Sequence, residues 1–190
     1  MNSVAFSMDG HTLASGSSDK TIEIWSLRNK RLLCTLTGHT DAVNQVAFTA
    51  DGEHLASCSR DRTIKVWRWR SGKLQTTLRG HTDDVTCIAV FSDRDYLASG
   101  SSDRTVRIWD MHSGKLRHTV RGCGYIDTPV AVSRDGRTLL STSCRNSVTV
   151  YALPEYGRTT TAKTTTKRRM SFLVVGATIA VLYKLCKGRV

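Results

Sequence analysis

Apolar and polar positions alternate in short bursts along most of this chain. The stretches VNQVAFT (Val43–Thr49), HLASCS (His54–Ser59), TIKVW (Thr63–Trp67) and LQTTL (Leu74–Leu78) are rich in β-branched and aromatic residues. Alternation over so few residues is the pattern of a half-buried strand. Turn chemistry bounds each burst: Ala50-Asp51-Gly52, Arg60-Asp61-Arg62, Ser71-Gly72-Lys73 and Gly80-His81-Thr82-Asp83. Four strands in so short a stretch leave no room for a helix, so the pattern predicts an all-β chain.

The pattern then repeats. Trp25, Trp67, Trp109 and Tyr151 stand 42 residues apart. So do Val4, Val46, Ile88 and Val130, and likewise Asp9, Asp51, Asp93 and Asp135. The phrase ASGSSD occurs at Ala14–Asp19 and Ala98–Asp103, with ASCSRD at Ala56–Asp61 between them. Gly38-His39 returns as Gly80-His81 and then as Gly122-Cys123. A fixed period of this size marks a repeat architecture, in which each unit buries its faces against its neighbours.

The Gly-His pair, the Ser-x-Ser-x-Asp phrase and the closing Trp or Trp-Asp (Trp109-Asp110) resemble WD40 repeats. The resemblance runs over four units, from about residue 2 to 153. It implies four-stranded blades of a β-propeller. It also implies a buried chain of hydrogen bonds: an indole N–H needs an acceptor, a Ser hydroxyl supplies it and donates to an imidazole, and an Asp holds the other imidazole nitrogen. Carried over by position, the second unit would use His39, Ser57, Asp61 and Trp67. The third would use His81, Ser99, Asp103 and Trp109. The first has Ser15, Asp19 and Trp25 but no His, and the fourth has Cys123, Arg145 and Tyr151 at the corresponding places. The irregular end units have two readings, capping repeats or a piece of a larger array. The expected architecture is therefore an incomplete or open propeller, because the family closes its ring with about seven blades.

Ser, His and Asp together also invite a catalytic reading. A set recurring once per repeat suits a scaffold better than an active site, which needs one exposed nucleophile. The sequence holds no phosphate-cradling loop, metal-spaced His pair or nucleophile elbow. The expectation is a non-enzyme without cofactor or metal. His11, His54, His112 and His118 fall in turns or at strand edges and are expected at the surface.

Charge divides the chain. Eight of its 28 Lys and Arg residues, and none of its 16 acids, lie within residues 156–190. The repeat region is thus only mildly basic and lacks a basic stripe with interleaved aromatics, so no nucleic-acid partner is expected. The six cysteines have no CxxC spacing, which suits a reducing compartment. No basic, apolar signal sequence opens the chain.

After the repeats (residues 1–154), RTTTAKTTTKRR (Arg158–Arg169) reads as the body of a polar linker over 155–169. Met170–Cys186 is the most apolar run, 17 residues, and residues 187–190 form a basic end. As a helix the run would reach about 25 Å, the short end of the membrane-spanning range. Phe172, Leu173, Val174, Val175, Ile179, Val181, Leu182 and Tyr183 would face lipid in a tail anchor. That anchor would place the repeats on the cytosolic face of the mitochondrial outer membrane or the endoplasmic reticulum. Two other readings stay open, a strand of a fifth blade at Phe172–Val175 and a tail without a membrane role.

The function expected is a protein–protein interaction scaffold acting through propeller loops, with self-association or pairing with another WD40 chain through uncovered sheet. Ser18, Arg60 and Ser102, each just before the turn Asp, are candidate contacts on one face. Trp69, outside the Trp spacing, is a candidate exposed anchor. Two alternatives rest on resemblance. Trp25…Arg28 and Trp67…Arg70 partly match the docking motif of cullin-type ubiquitin ligase receptors, and the closely alike units resemble the sensor end of nucleotide-binding innate-immune or apoptosome-like proteins.

Overall fold

Short strands joined by tight turns pair most readily with their sequence neighbours. The computed structural model describes residues 1–92, 95–121, 129–143, 147–153 and 168–171. Among these, sixteen strands form four antiparallel sheets of four, each in sequence order. The first blade comprises β1 (Ser3–Phe6), β2 (Thr12–Gly16), β3 (Ile22–Ser26) and β4 (Arg31–Leu36). The second comprises β5 (Val43–Phe48), β6 (His54–Ser59), β7 (Ile64–Arg68) and β8 (Lys73–Leu78). The third comprises β9 (Val85–Val90), β10 (Tyr96–Ser101), β11 (Thr105–Asp110) and β12 (Leu116–Arg121). The fourth comprises β13 (Val130–Val132), β14 (Thr138–Ser143), β15 (Ser147–Ala152) and β16 (Arg168–Ser171). First strands of successive blades lie side by side: β1 with β5, β5 with β9, and β9 with β13. That is the arrangement of propeller blades about an axis.

The turn between second and third strands is set by its Asp. The side chains of Asp19, Asp61 and Asp103 each accept the backbone N–H of the Thr two residues on, at 3.0, 3.0 and 2.9 Å. The residue between is left-handed each time: Lys20, Arg62 and Arg104 have φ of 76°, 66° and 64°. A non-Gly residue there is strained, so the Asp bonds hold a turn that its own backbone disfavours.

A blade cannot bury both faces alone, and the apolar clusters accordingly form between blades. Ala14, Ile22, Ile24 and Leu36 meet Val43, Val46, Leu55, Trp67 and Trp69. Ala56, Cys58, Ile64, Val66 and Leu78 meet Val85, Ile88, Leu97, Trp109 and Met111. Val106, Ile108 and Val120 meet Leu139, Tyr151 and Leu153. Each large side chain so buried stabilises by about 1.5–3 kcal/mol.

Polar side chains stitch the first strands together across these interfaces. Asn2 Nδ2 donates to Val43 O at 2.9 Å, and Ser3 Oγ accepts Val46 N–H at 3.2 Å. One period later, Asn44 Nδ2 donates to Val85 O at 2.9 Å and Gln45 Oε1 accepts Ile88 N–H at 2.8 Å. Asn44 sits at a bulge of β5, where the strand register shifts. At the next interface the pattern changes, and Thr86 bonds Gly100 O inside its own blade at 3.3 Å.

The sequence reading needs correction in three respects. Trp69 is no exposed anchor, since it is 3% exposed within the first inter-blade core. Its register partners are Leu27, Met111 and Leu153, so it fills an apolar position that recurs in every blade. His54 and His118 are half-buried rather than on the surface, whereas His11 and His112 are exposed. Met170 and Ser171, the start of the expected apolar helix, belong instead to β16, which pairs with β15 and covers its edge. An unpaired strand edge leaves N–H and C=O groups unmet, which favours such a pairing. The rest of the candidate anchor, Phe172–Val175 and the apolar residues to Cys186, lies outside the described residues. Among the described residues no helix is long and apolar enough to cross a membrane.

The stitches generate a prediction. Gln45→Ala leaves the Ile88 N–H without its acceptor and is expected to cost about 1 kcal/mol. Hydrogen exchange at Ile88 should quicken and the thermal midpoint should fall. Unchanged protection of that amide would show that the stitch carries no stability.

Candidate functional site

Two buried networks bring together the residues singled out in the second and third units. In the second blade, Trp67 Nε1 donates to Ser57 Oγ at 2.9 Å, Ser57 Oγ lies 2.8 Å from His39 Nε2, and His39 Nδ1 lies 2.7 Å from Asp61 Oδ2. In the third, Trp109 Nε1 donates to Ser99 Oγ at 2.8 Å, with His81 Nε2 at 2.8 Å from Ser99 and His81 Nδ1 at 2.7 Å from Asp103. A neutral imidazole carrying its proton on Nδ1 satisfies every member: the hydroxyl donates to Nε2 and the Nδ1–H donates to the carboxylate. The Asp second oxygen closes the turn through Thr63 and Thr105, each hydroxyl donating at 2.6 Å.

Each network ties four segments: the inter-blade loop carrying His, the second strand carrying Ser, the turn carrying Asp, and the third strand carrying Trp. The Gly before each His has a reason to be there. Gly38 and Gly80 have φ of 149° and 147°, and an added Cβ would meet the Trp67 ring at 3.1 Å or the Trp109 ring at 3.2 Å. The loop passes flat against the indole only because it carries no side chain.

The first blade departs from this plan. Without a His, Trp25 turns its indole N–H to Glu23 Oε2 at 3.2 Å and not to Ser15, and it stays half-buried. Asp19 keeps its turn bonds to Thr21. In the fourth blade Tyr151 is buried, while Cys123 and Arg145 lie outside the described residues.

The electrostatics follow from burial. Burial opposes ionisation of Asp103, yet hydrogen bonds from Thr105, His81 and Thr82 outweigh it and hold the carboxyl at about 2. Asp61 is held lower still, against burial, by His39, Thr63 and Thr40. Burial also pushes the His81 imidazole below its ordinary value, and the bond to Asp103 only partly offsets this. Ser57 and Ser99 are 0% exposed and their oxygens are engaged, so no substrate can reach them. These sets hold the blade rather than present a nucleophile. Among the described residues no three His, Cys, Asp or Glu side chains converge as a metal site.

Ser18, Arg60 and Ser102 occupy equivalent turns, each between the second and third strands of its own blade. Ser18 donates to Asn2 Oδ1 at 3.1 Å. The backbone N–H of Arg60 reaches Ala42 O at 3.0 Å, and that of Ser102 reaches Asp84 O at 2.9 Å. Trp69 sits at the opposite end of the third strand, in a short 3₁₀ turn (Trp69–Ser71) after β7.

The networks make the protein acid-sensitive. His81 has a lowered folded value, so below its ordinary 6.5 the unfolded chain binds the extra proton and stability declines. Asp103 contributes fully above its ordinary 3.8 and loses that contribution as pH falls to about 2. The thermal midpoint should be level above neutrality, fall below it, and steepen in the lower window. Asp103→Asn is expected to cost about 2 kcal/mol at neutral pH and to weaken the lower step. Melts across the pH range check this, and an identical acid limb in the variant would refute it.

The sequence family described as "WD domain, G-beta repeat" matches residues 1–26, 30–68 and 72–110. These segments make up more than half of the chain. The first covers β1–β3, and the second and third each run from the last strand of one blade through the first three strands of the next, β4–β7 and β8–β11, so that each of these two holds one whole tetrad. The fourth blade shares their strand order. The chain belongs to the WD40 repeat family.

Proposed function

We propose that this protein is an interaction scaffold that receives a second WD40 surface, its own copy or another chain, on the uncovered side of its first blade. WD40 domains generally bind other proteins. The observation that carries the reading is a contrast within the repeat. Val4 is 48% exposed, while its register mates Val46 and Ile88 are 2% and 3% exposed. Leu27 is 41% exposed where Trp69 is 3%. Phe6 and Met8 are also exposed on this blade. Large apolar side chains exposed on one blade mark a contact site, and the surface that fits them is the kind of blade face that buries Val46 and Trp69. Ser18, Arg60 and Ser102 add a polar contact face in the turns.

The C-terminal run expected over Met170–Cys186, of which Met170 and Ser171 pair in β16 and the rest follows that strand, supports a second element of the proposal, a tether that holds the repeats at the cytosolic face of the mitochondrial outer membrane or endoplasmic reticulum. Its support is the sequence: an apolar stretch at the short end of the membrane-spanning range, preceded by Arg169, with Lys184 near its end and Lys187 and Arg189 after it.

Val4→Asp with Phe6→Ser should abolish concentration-dependent association in light scattering while leaving the melting curve close to that of the parent. A parent chain that stays strictly monomeric at micromolar concentrations, and captures no WD40 chain, would sink the proposal. The tether has its own test. Residues 158–190 fused to a soluble fluorescent protein should stay with membranes through alkaline extraction, and full release into the soluble fraction would refute it.

A further inference from the structure

One register position decides how tightly successive blades close at the end opposite the Asp turns. Leu27, Trp69, Met111 and Leu153 occupy it. Leu27, Met111 and Leu153 donate their backbone N–H groups to the carbonyls of His11, Asp95 and Arg137, at 2.9, 2.8 and 2.8 Å. Trp69 fills the interface between the first two blades. Its ring stands edge-on to Phe48 at 5.6 Å, and Nε1 donates to Gly52 O at 3.1 Å. At the next interface Met111 takes the same place with a smaller, unbranched side chain. A cleft of about 190 Å³ remains there, with Val66 and Met111 on its apolar side and Asp51, His54, Gln75 and Asp95 on its polar side.

His54 is peculiar to this blade, for Thr12, Tyr96 and Thr138 stand at its position in the others. Its Nδ1 lies 2.8 Å from Asp51 Oδ2. Asp51 is ionised at neutral pH: burial opposes this, but bonds from Thr49 and His54 hold its carboxyl at about 2. The carboxylate therefore takes the Nδ1–H, and in the neutral imidazole this leaves Nε2 as an acceptor. Nε2 is shielded from solvent and has no hydrogen-bond partner. A buried polar atom without a partner is unfavourable, and an incoming N–H donor would relieve it. Asp95, exposed on the same cleft, brings a second negative group to a chain that is otherwise strongly basic.

We propose that this cleft between the second and third blades receives an arginine side chain of a partner protein. The methylene stem would lie on Val66 and Met111, with Met111 adapting its flexible side chain to the entrant. The guanidinium presents several N–H donors in one plane, so a single group can donate to His54 Nε2 and to the Asp95 carboxylate together. A neutral hydroxyl would satisfy the imidazole but leave the carboxylate unmatched. The cleft lies on a different blade pair from the uncovered face of the first blade, and neither contact depends on the other.

The test uses the whole chain with isotope-labelled histidine. N-acetyl-arginine-N-methylamide is titrated in, with the citrulline counterpart as the neutral match in shape. The His54 ring signals should shift saturably with the arginine compound and barely with citrulline. Asp95→Asn should weaken the response about two- to fivefold. Met111→Trp, which installs the residue that fills the neighbouring interface, should abolish it. Static His54 signals, or equal shifts with both compounds, would overturn the proposal. If Met111→Trp unfolds the chain, the exposed Asp95→Asn change decides alone, and an undiminished response there counts against it.

Discussion

An indole N–H buried inside a blade has to find an acceptor, and Ser57 and Ser99 supply it. Much of the local geometry depends on that hydroxyl. With its oxygen occupied by the Trp, its proton is free to meet an imidazole, and the imidazole then needs a carboxylate on its far side. The carboxylate lies in a turn whose following residue is left-handed, so the same network holds a disfavoured backbone. The loop bearing the His comes from the preceding blade, so the bond that satisfies one side chain also fixes how two blades join. Each member left alone would be an unmet buried group, which makes the set cooperative rather than a sum of pairs.

The first blade shows what happens when one member is missing. Trp25 keeps its strand position but gives its N–H to Glu23, its neighbour on the same strand, and remains half-buried. Its register mates Trp67 and Trp109 are 2% and 1% exposed. The polar network and the apolar face therefore fail together in this blade. Among the described residues no other blade packs against Val4 or Leu27, and both stay exposed.

The period and the tetrads were legible because they are written in residue types with few alternatives, Trp, His, Asp and the turn Gly, at fixed spacing. Strand limits followed from the same turns: the burst His54–Ser59 is β6 itself, and Val43–Thr49 exceeds β5 by one residue. Trp69 misled because tryptophans were compared with tryptophans. The informative comparison was with Leu27, Met111 and Leu153, which shows a recurring apolar position. Asn2 and Asn44 carried a usable signal in their spacing, but an amide bonding to the next blade's backbone has no composition cue. The strand Arg168–Ser171 could not be read from its residues, since two arginines at the end of a polar tract have no strand pattern. It is defined by the edge it covers.

Conserving a network frees the positions that do not belong to it. Glu23, Lys65 and Arg107 share one register place and differ in charge and role. Glu23 accepts from Trp25, Lys65 Nζ donates to Thr77 Oγ1 at 3.2 Å, and Arg107 lies over the Trp109 ring at 5.9 Å. Trp69 and Met111 differ in volume at another place, so one blade interface is filled and the next keeps a cleft. Each of these changes is tolerated because strand order, turn and tetrad are already determined elsewhere in the repeat. The positions that vary while the network stays constant are therefore where one blade can be told from another by a partner. In this chain they include the exposed Val4 and Leu27 of the first blade and the cleft beside His54.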